Sequence, residues 1–225
     1  MPKFAAGVLK FQTKVFPENE SLFEALSHGQ APEALFITCA DSRIATSMIT
    51  QTGPGELFIC RNAGNIVPPH TNDTDGMTAS IEYAVDVLNV PHIVVCGHSG
   101  CGAMAGAMDM DGLNAIPNVK QWLMYSRAAV SVVKKTGEGK SDAEKMAMLI
   151  EQNVLLQLQH LRTHPSVAAA IAKGEVQLHG WVYNIKSGGV TVYDEDENEF
   201  ILVDNKYAQE IAKMDEIERL AAKDN

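Results

Sequence analysis

The chain has 225 residues, enough for one sizeable core or two small ones at most. Hydrophobic residues make up 46% and charged residues 20%, an ordinary balance for a soluble globular protein. A net charge of −10 argues against a duplex nucleic-acid binder, which needs clustered Lys and Arg, and no apolar run approaches a membrane span, so neither partner is expected.

The first 30 residues read as a helical arm. Near its start "FAAGVL" follows a single Lys and is shorter than a secretory apolar region, so no signal peptide is read and a cytoplasmic protein is expected. Residues 11–26 carry Phe11, Val15, Phe16, Leu22 and Phe23, which are expected to pack on a neighbouring subunit. The apolar runs 33–39 ("EALFITC"), 55–62 ("GELFICRN") and 91–97 ("PHIVVCG") predict buried strands. Residues 74–89 have helical periodicity, as do 119–135. Helix 141–161 opens on Ser141 and Glu144, a capping-box pattern, and helix 164–174 runs from Pro165 to a stop at Gly174. "EVQLHGWVYNI" and "GGVTVYD" predict two strands joined by a turn at 187–189, "DEDENE" (194–199) a solvated hairpin tip, and the tail from Asn205 an amphipathic helix. Alternating strands and helices imply one α/β domain over 1–225: the arm, a core at 31–203 and a C-terminal helix at 204–225. Its sheet should be mostly parallel, flanked by helices, with a C-terminal hairpin added.

The cysteines are Cys39, Cys60, Cys96 and Cys101, none in a C-x-x-C redox motif, and a disulfide framework is not expected. Cys60 and Cys96 sit inside apolar runs and read as core residues. Cys39 ends one predicted strand, while His98 and Cys101 follow another in "CGHSGCG". Ligands of open parallel sheets bind beyond the carboxyl ends of the strands. If the two strands are neighbours, two thiolates and an imidazole converge there, a set suited to Zn²⁺ with a fourth position open. The alternative is a tight strand-to-helix turn with incidental residues. "CADSR" adds Asp41 and Arg43, whose spacing in an extended segment puts both on one side, as a surface ion pair or as a carboxylate held beside a metal.

"CADSR" followed about 60 residues later by "CGHSGCGA" resembles the β-class carbonic anhydrases. The resemblance runs through "GELFICRNAGNIVPP", "SIEYAV", "QWLMYSRAA", "QNVLLQL", "THPSV" and "LHGWVYNIKSGGV", and covers about residues 20–203. It implies hydration of CO₂ to bicarbonate by a zinc-bound hydroxide, with one Zn²⁺ per subunit on Cys39, His98 and Cys101 and with Asp41 and Arg43 as the catalytic dyad. It matches Gln30 to a substrate-contacting glutamine of the plant-like branch, and Phe58, Ala63 and Tyr83 to pocket residues, with Val67 nearby. The Gly102 N–H, at an expected helix start, is a further donor to substrate oxygen. Apart from the resemblance, Gln30 reads as a turn residue before Pro32, and Phe58 and Tyr83 as plain core. In the family each pocket draws on two subunits, which implies a homodimer or a higher assembly such as a tetramer or octamer. Two rival functions fit a cluster of this kind: zinc-dependent hydrolysis of CS₂ or COS, and a non-enzymatic zinc or redox protein. The remaining histidines, His28, His70, His92, His160, His164 and His179, read as surface or hydrogen-bonded residues.

Overall fold

A computed structural model describes residues 1–221. The arm is helical, as α1 (Pro2–Lys10), a π turn (Phe11–Val15), α2 (Phe16–Glu18) and α3 (Glu20–Ser27). None of its helical residues is buried, and Phe11, Phe16 and Phe23 stack mainly on one another, with centroids 5.3–6.1 Å apart. Next come β1 (Ala34–Cys39), α4 (Thr46–Thr50), β2 (Leu57–Asn62), α5 (Gly76–Glu82) and β3 (His92–His98). The middle of the chain is helical: α6 (Gly102–Met108), α7 (Pro117–Leu123), α8 (Arg127–Thr136), α9 (Asp142–Leu161) and α10 (Pro165–Lys173). It closes with β4 (Gln177–Tyr183), β5 (Val190–Asp194), β6 (Glu199–Leu202), α11 (Val203–Lys206) and α12 (Ala208–Ala221). The last four residues of the expected C-terminal helix lie outside the described residues. No described helix is long and apolar enough to cross a membrane.

The six strands lie in the order β2-β1-β3-β4-β5-β6. β2, β1, β3 and β4 are parallel, and β5 and β6 are added antiparallel as the C-terminal hairpin. Leu35, Ile37, Ile93 and Val95 face one side, where Val154, Leu158 and Leu161 of α9 and Val167 and Ala170 of α10 cover them. α9 reaches this face because β3 and β4 present glycines to it. A Cβ at Gly97 would stand 3.0 Å from Val154, and one at Gly180 would stand 2.9 Å from it. Phe36, Val94 and Cys96 form a smaller cluster on the other side with Leu57, Trp181 and Tyr183.

Local chemistry sets the helix ends. The α9 capping box forms, with Glu144 N–H donating to Ser141 Oγ and the Glu144 carboxylate accepting from Ser141 N–H. Asp75 caps α5, accepting from Thr78 N–H at 2.7 Å, and Gly174 ends α10 in the left-handed region at φ 73°. Three expectations of these elements need correction. β2, expected to be buried, is an edge strand with no buried residue. The single helix expected over 119–135 is broken at Met124–Ser126 by a 3₁₀ turn, which turns the fully buried Ser126 onto Asn153 Oδ1 at 2.8 Å. The 194–199 tip is not wholly solvated, because Asp194 is buried and accepts from Lys206 Nζ at 2.8 Å and from the Asp196 amide at 2.9 Å.

Candidate metal centre

The sheet order reverses beside β1, since the chain runs from β1 to β2 on one side and then places β3 on the other. That switch point opens a crevice at the carboxyl ends of β1 and β3. Cys39 is the last residue of β1, His98 the last of β3, and Cys101 stands just before α6. All three are buried, and their ligand atoms lie within 4.8 Å of one another, the one such group of three among the described residues. The two Sγ atoms are 3.9 Å apart, close to the roughly 3.8 Å that a tetrahedral site with thiolates at about 2.3 Å requires. His98 Nδ1 lies 3.1 Å from the Ser99 carbonyl, which can only accept, so the proton sits on Nδ1. Nε2 is then left with a free lone pair, is wholly buried, and has no hydrogen-bond partner among the described residues. An orphaned imidazole nitrogen facing two thiols fits a thiophilic divalent ion such as zinc.

The thiols share this small space unequally. The Cys101 thiol and the Gly64 and Asp41 amides favour the Cys39 thiolate, drawing its pKa down against burial. Cys101, beside that thiolate and buried, is pushed up. Cys96 is fully enclosed, and burial pushes its thiol up to about 12. Cys60, expected in the core, is half-buried instead, because β2 is an edge strand. All four cysteines are free.

Asp41 and Arg43 meet, though not through an extended segment. Residues 41–44 form a turn, closed by Ile44 N–H on the Asp41 carbonyl at 3.1 Å. Asp41 Oδ1 accepts from the Arg43 amide at 3.0 Å and from Nε at 2.9 Å, and Oδ2 accepts from Nη2 at 2.6 Å. The guanidinium beside it, with the Arg43 amide, holds the Asp41 carboxyl well below the usual carboxylate range. Oδ2 is 3.9 Å from His98 Nε2, so the fork aims the carboxylate at the ligand cluster. Arg43 Nη2 also donates to the Gly100 carbonyl at 3.1 Å, which ties the dyad to the His98–Cys101 loop.

Gly102 opens α6 beside Cys101, as expected. Ala63 is exposed and follows β2, whose last residue, Asn62, pairs with Cys39. Phe58 and Tyr83 face each other at 5.9 Å, away from the cluster. Phe58 pairs with Leu35, four residues short of the Cys39 pair, or about 13 Å back along the strand. Tyr83 is 44% exposed. Gln30 is exposed in the loop that enters the amino end of β1. Val67 is fully buried in the main core.

Residues not singled out in the sequence shape the site. Arg61 donates from Nε to the Cys39 carbonyl at 3.1 Å and from Nη2 to the Asp41 carbonyl at 2.8 Å, fixing the backbone between ligand and dyad. Asn62 closes the loop behind it by bonding both the N–H and the C=O of Ile66. Their only sequence signal is "CRNAG", which carries the family resemblance but does not encode these roles.

A buried pair of thiols and an imidazole at the switch point of a parallel sheet defines an α/β metal-site protein. Comparison with known proteins makes this specific. The carbonic anhydrase family model matches residues 34–190. A carbonic anhydrase of Pseudomonas aeruginosa is 46% identical over 87% of this chain and 88% of its own length. Carbonic anhydrase 1 of Escherichia coli O157:H7 is 43% identical over 89% and 91%. The structure of the β-carbonic anhydrase CcaA superposes with a TM-score of 0.88 at 38% identity, covering 90% of this chain and 91% of that one. One of two tetrameric β-carbonic anhydrases of Sordaria macrospora superposes with a TM-score of 0.74 at 32% identity, covering 85% and 97%. The chain belongs to the carbonic anhydrase family, in its β class.

Proposed function

We propose that this protein catalyses the reversible hydration of CO₂ to bicarbonate and a proton, using one zinc ion per subunit held by Cys39, His98 and Cys101. The observation that carries the reading is the Asp41 carboxylate, forked by Arg43 and turned toward the orphaned His98 Nε2. A structural zinc site is closed by four protein ligands and has no use for such a group, whereas three ligands leave a position for chemistry. When bound, the zinc acidifies a water molecule and so supplies a nucleophile near neutral pH.

The protein's own residues supply the rest. Asp41 stays ionised, so it can only accept a hydrogen bond; it fixes where the nucleophile's proton points and leaves a lone pair for carbon. Arg43 occupies both carboxylate oxygens and keeps Asp41 from filling the metal's open position itself. The Gly102 N–H donates to the oxygen on which charge develops, and the Gln30 amide, at the amino end of β1, reaches such an oxygen only in the pocket of a second copy. Phe58, Ala63 and Tyr83 supply an apolar wall for CO₂. Phe58 and Tyr83 stand back from their own cluster, which supports a pocket completed by a second copy and hence a homodimer or higher assembly. The unburied aromatic arm supports the same assembly. Four free thiols suit a reducing cytoplasm.

The test is stopped-flow CO₂ hydration by the zinc-loaded protein, with the chelator-stripped protein as control. Turnover that disappears with the metal and returns with zinc supports the reading. Zinc-loaded protein inert to CO₂ overturns it, and COS or CS₂ hydrolysis by that protein would assign the site to the sister reaction.

A further inference from the structure

We propose that Trp122, seconded by Asn153, is a positioning residue for the metal centre: the two side chains clamp the backbone around Gly64 and aim its N–H at the Cys39 sulfur. The inference rests on the metal-site reading above. Gly64 N–H donates to Cys39 Sγ at 3.4 Å. The peptide carrying that N–H has the Ala63 carbonyl at its other end, and in a trans peptide the two point in opposite directions. Trp122 Nε1 donates to this Ala63 carbonyl at 2.9 Å. Held at the carbonyl by an indole from α7, the peptide plane can present its N–H only toward the sulfur. The next plane is held as well, since Asn153 Nδ2 of α9 donates to the Gly64 carbonyl at 3.0 Å.

Gly64 itself fits nothing but glycine. Its φ is +86°, and a Cβ there would stand 2.9 Å from Met104 Cε and 3.1 Å from Ala103 Cβ, against the helix that follows Cys101. The backbone is thus pressed from one side by α6 and hung from α7 and α9 on the other.

The chemical consequence concerns charge. Two thiolates offset the charge of a divalent ion and blunt its pull on a water molecule. A hydrogen bond to one sulfur withdraws electron density from it. A donor on the Ala63 carbonyl polarises the same peptide and makes its N–H a stronger donor. Trp122 thus tunes the ligand from two bonds away, as outer partners of metal ligands commonly do.

The first experiment uses the unaltered protein loaded with ¹¹³Cd, with uptake read from the thiolate–cadmium absorption. The Gly64 amide proton is expected to show scalar coupling to the metal through the N–H···S bond. The second replaces the metal with Co²⁺ and follows the sulfur-to-cobalt charge-transfer band. Trp122→Phe keeps the ring and removes the donor. It should move the band to longer wavelength and weaken zinc binding about tenfold, the lower end of the range for outer-partner changes. Asn153→Leu should act in the same direction. Ser126→Ala removes a bond on the far side of Asn153 and spares both clamps, so its band should stay in place. If Trp122 only packs, Trp122→Phe will lower stability and leave the band and the coupling unchanged, which overturns the inference. Cadmium uptake without Gly64 coupling in the unaltered protein also overturns it. A protein that takes up no cadmium overturns the metal reading itself, and the inference falls with it.

Discussion

Asp41→Asn separates the catalytic role of the dyad from that of a surface ion pair. The substitution keeps the side chain's shape but exchanges one acceptor oxygen for an NH₂ group. Oδ1 receives two donors, the Arg43 amide and Nε, at 3.0 and 2.9 Å. The amide oxygen will therefore take that place and the NH₂ will occupy the Oδ2 position. There it meets Arg43 Nη2, which stood 2.6 Å from Oδ2, donor against donor, and turns a donor toward the ligand cluster 3.9 Å away. The acceptor that orients the nucleophile is lost and replaced by a group of opposite polarity. Loss of one aligned catalytic hydrogen bond costs about 2.7–4 kcal/mol, so CO₂ hydration should fall roughly 10²–10³-fold. Zinc content should stay near that of the unaltered protein, because Asp41 is not among the three ligands. The measurements are stopped-flow hydration with a pH indicator and elemental analysis of the same preparation. If the pair were only a surface contact, its loss would cost under about 1 kcal/mol of stability and leave turnover intact. An Asp41→Asn protein with full zinc and unaltered turnover would refute the mechanism and leave the metal site standing.

Cys39→Ser, His98→Ala and Cys101→Ser should each lose metal and activity together, and full zinc in His98→Ala by elemental analysis would refute the ligand set. A chain starting near Glu20 lacks Phe11 and Phe16 of the aromatic cluster, so light scattering should report a smaller assembly; an unchanged assembly with unchanged activity would show the arm to be dispensable. His179 tests linkage. Burial, then His92 and Lys206 nearby, lower its pKa from 6.5 to about 4, so between those values the unfolded chain binds the extra proton. Its contribution is complete above pH 6.5 and declines toward pH 4, by at most roughly 3 kcal/mol. Urea midpoints across this range should fall less steeply for His179→Gln than for the unaltered protein, and parallel slopes would exclude the effect.

The legible parts of this fold were those with a local cause. β1 and β3 are apolar runs because they lie inside the sheet, and the capping box of α9 is written in Ser141 and Glu144. The metal cluster was legible because its chemistry is confined to a few residue types at strand ends. The break at 124–126 was not, since its cause is Ser126 reaching Asn153, 27 residues away. Arg61, Trp122 and Asn153 are not legible in the sequence for a related reason. Each acts on a backbone carbonyl, and a carbonyl leaves no trace in the identity of the residue that owns it. The Asp41–Arg43 pair was found, but its geometry comes from a turn that two-residue spacing does not distinguish from a strand.

The loop from Asn62 to His70 has almost no regular structure, while the arm is helical nearly throughout. Hydrogen exchange should reverse that ranking. The Ile66 and Val67 amides are buried and donate to Asn62 Oδ1 at 2.7 Å and Gln157 Oε1 at 2.9 Å, while His160 and His164 hold the Val67 and Pro68 carbonyls. The Val67 amide can open only when α9 moves away and Ile66 only when its buried loop does, so both should exchange far more slowly than the arm, Val67 at the rate of global unfolding. The helical amides of residues 2–27 have no buried side chain to hold them, and in an isolated protomer they should exchange within the fraying of a short helix. Slow exchange in the arm would therefore report a second molecule lying over it.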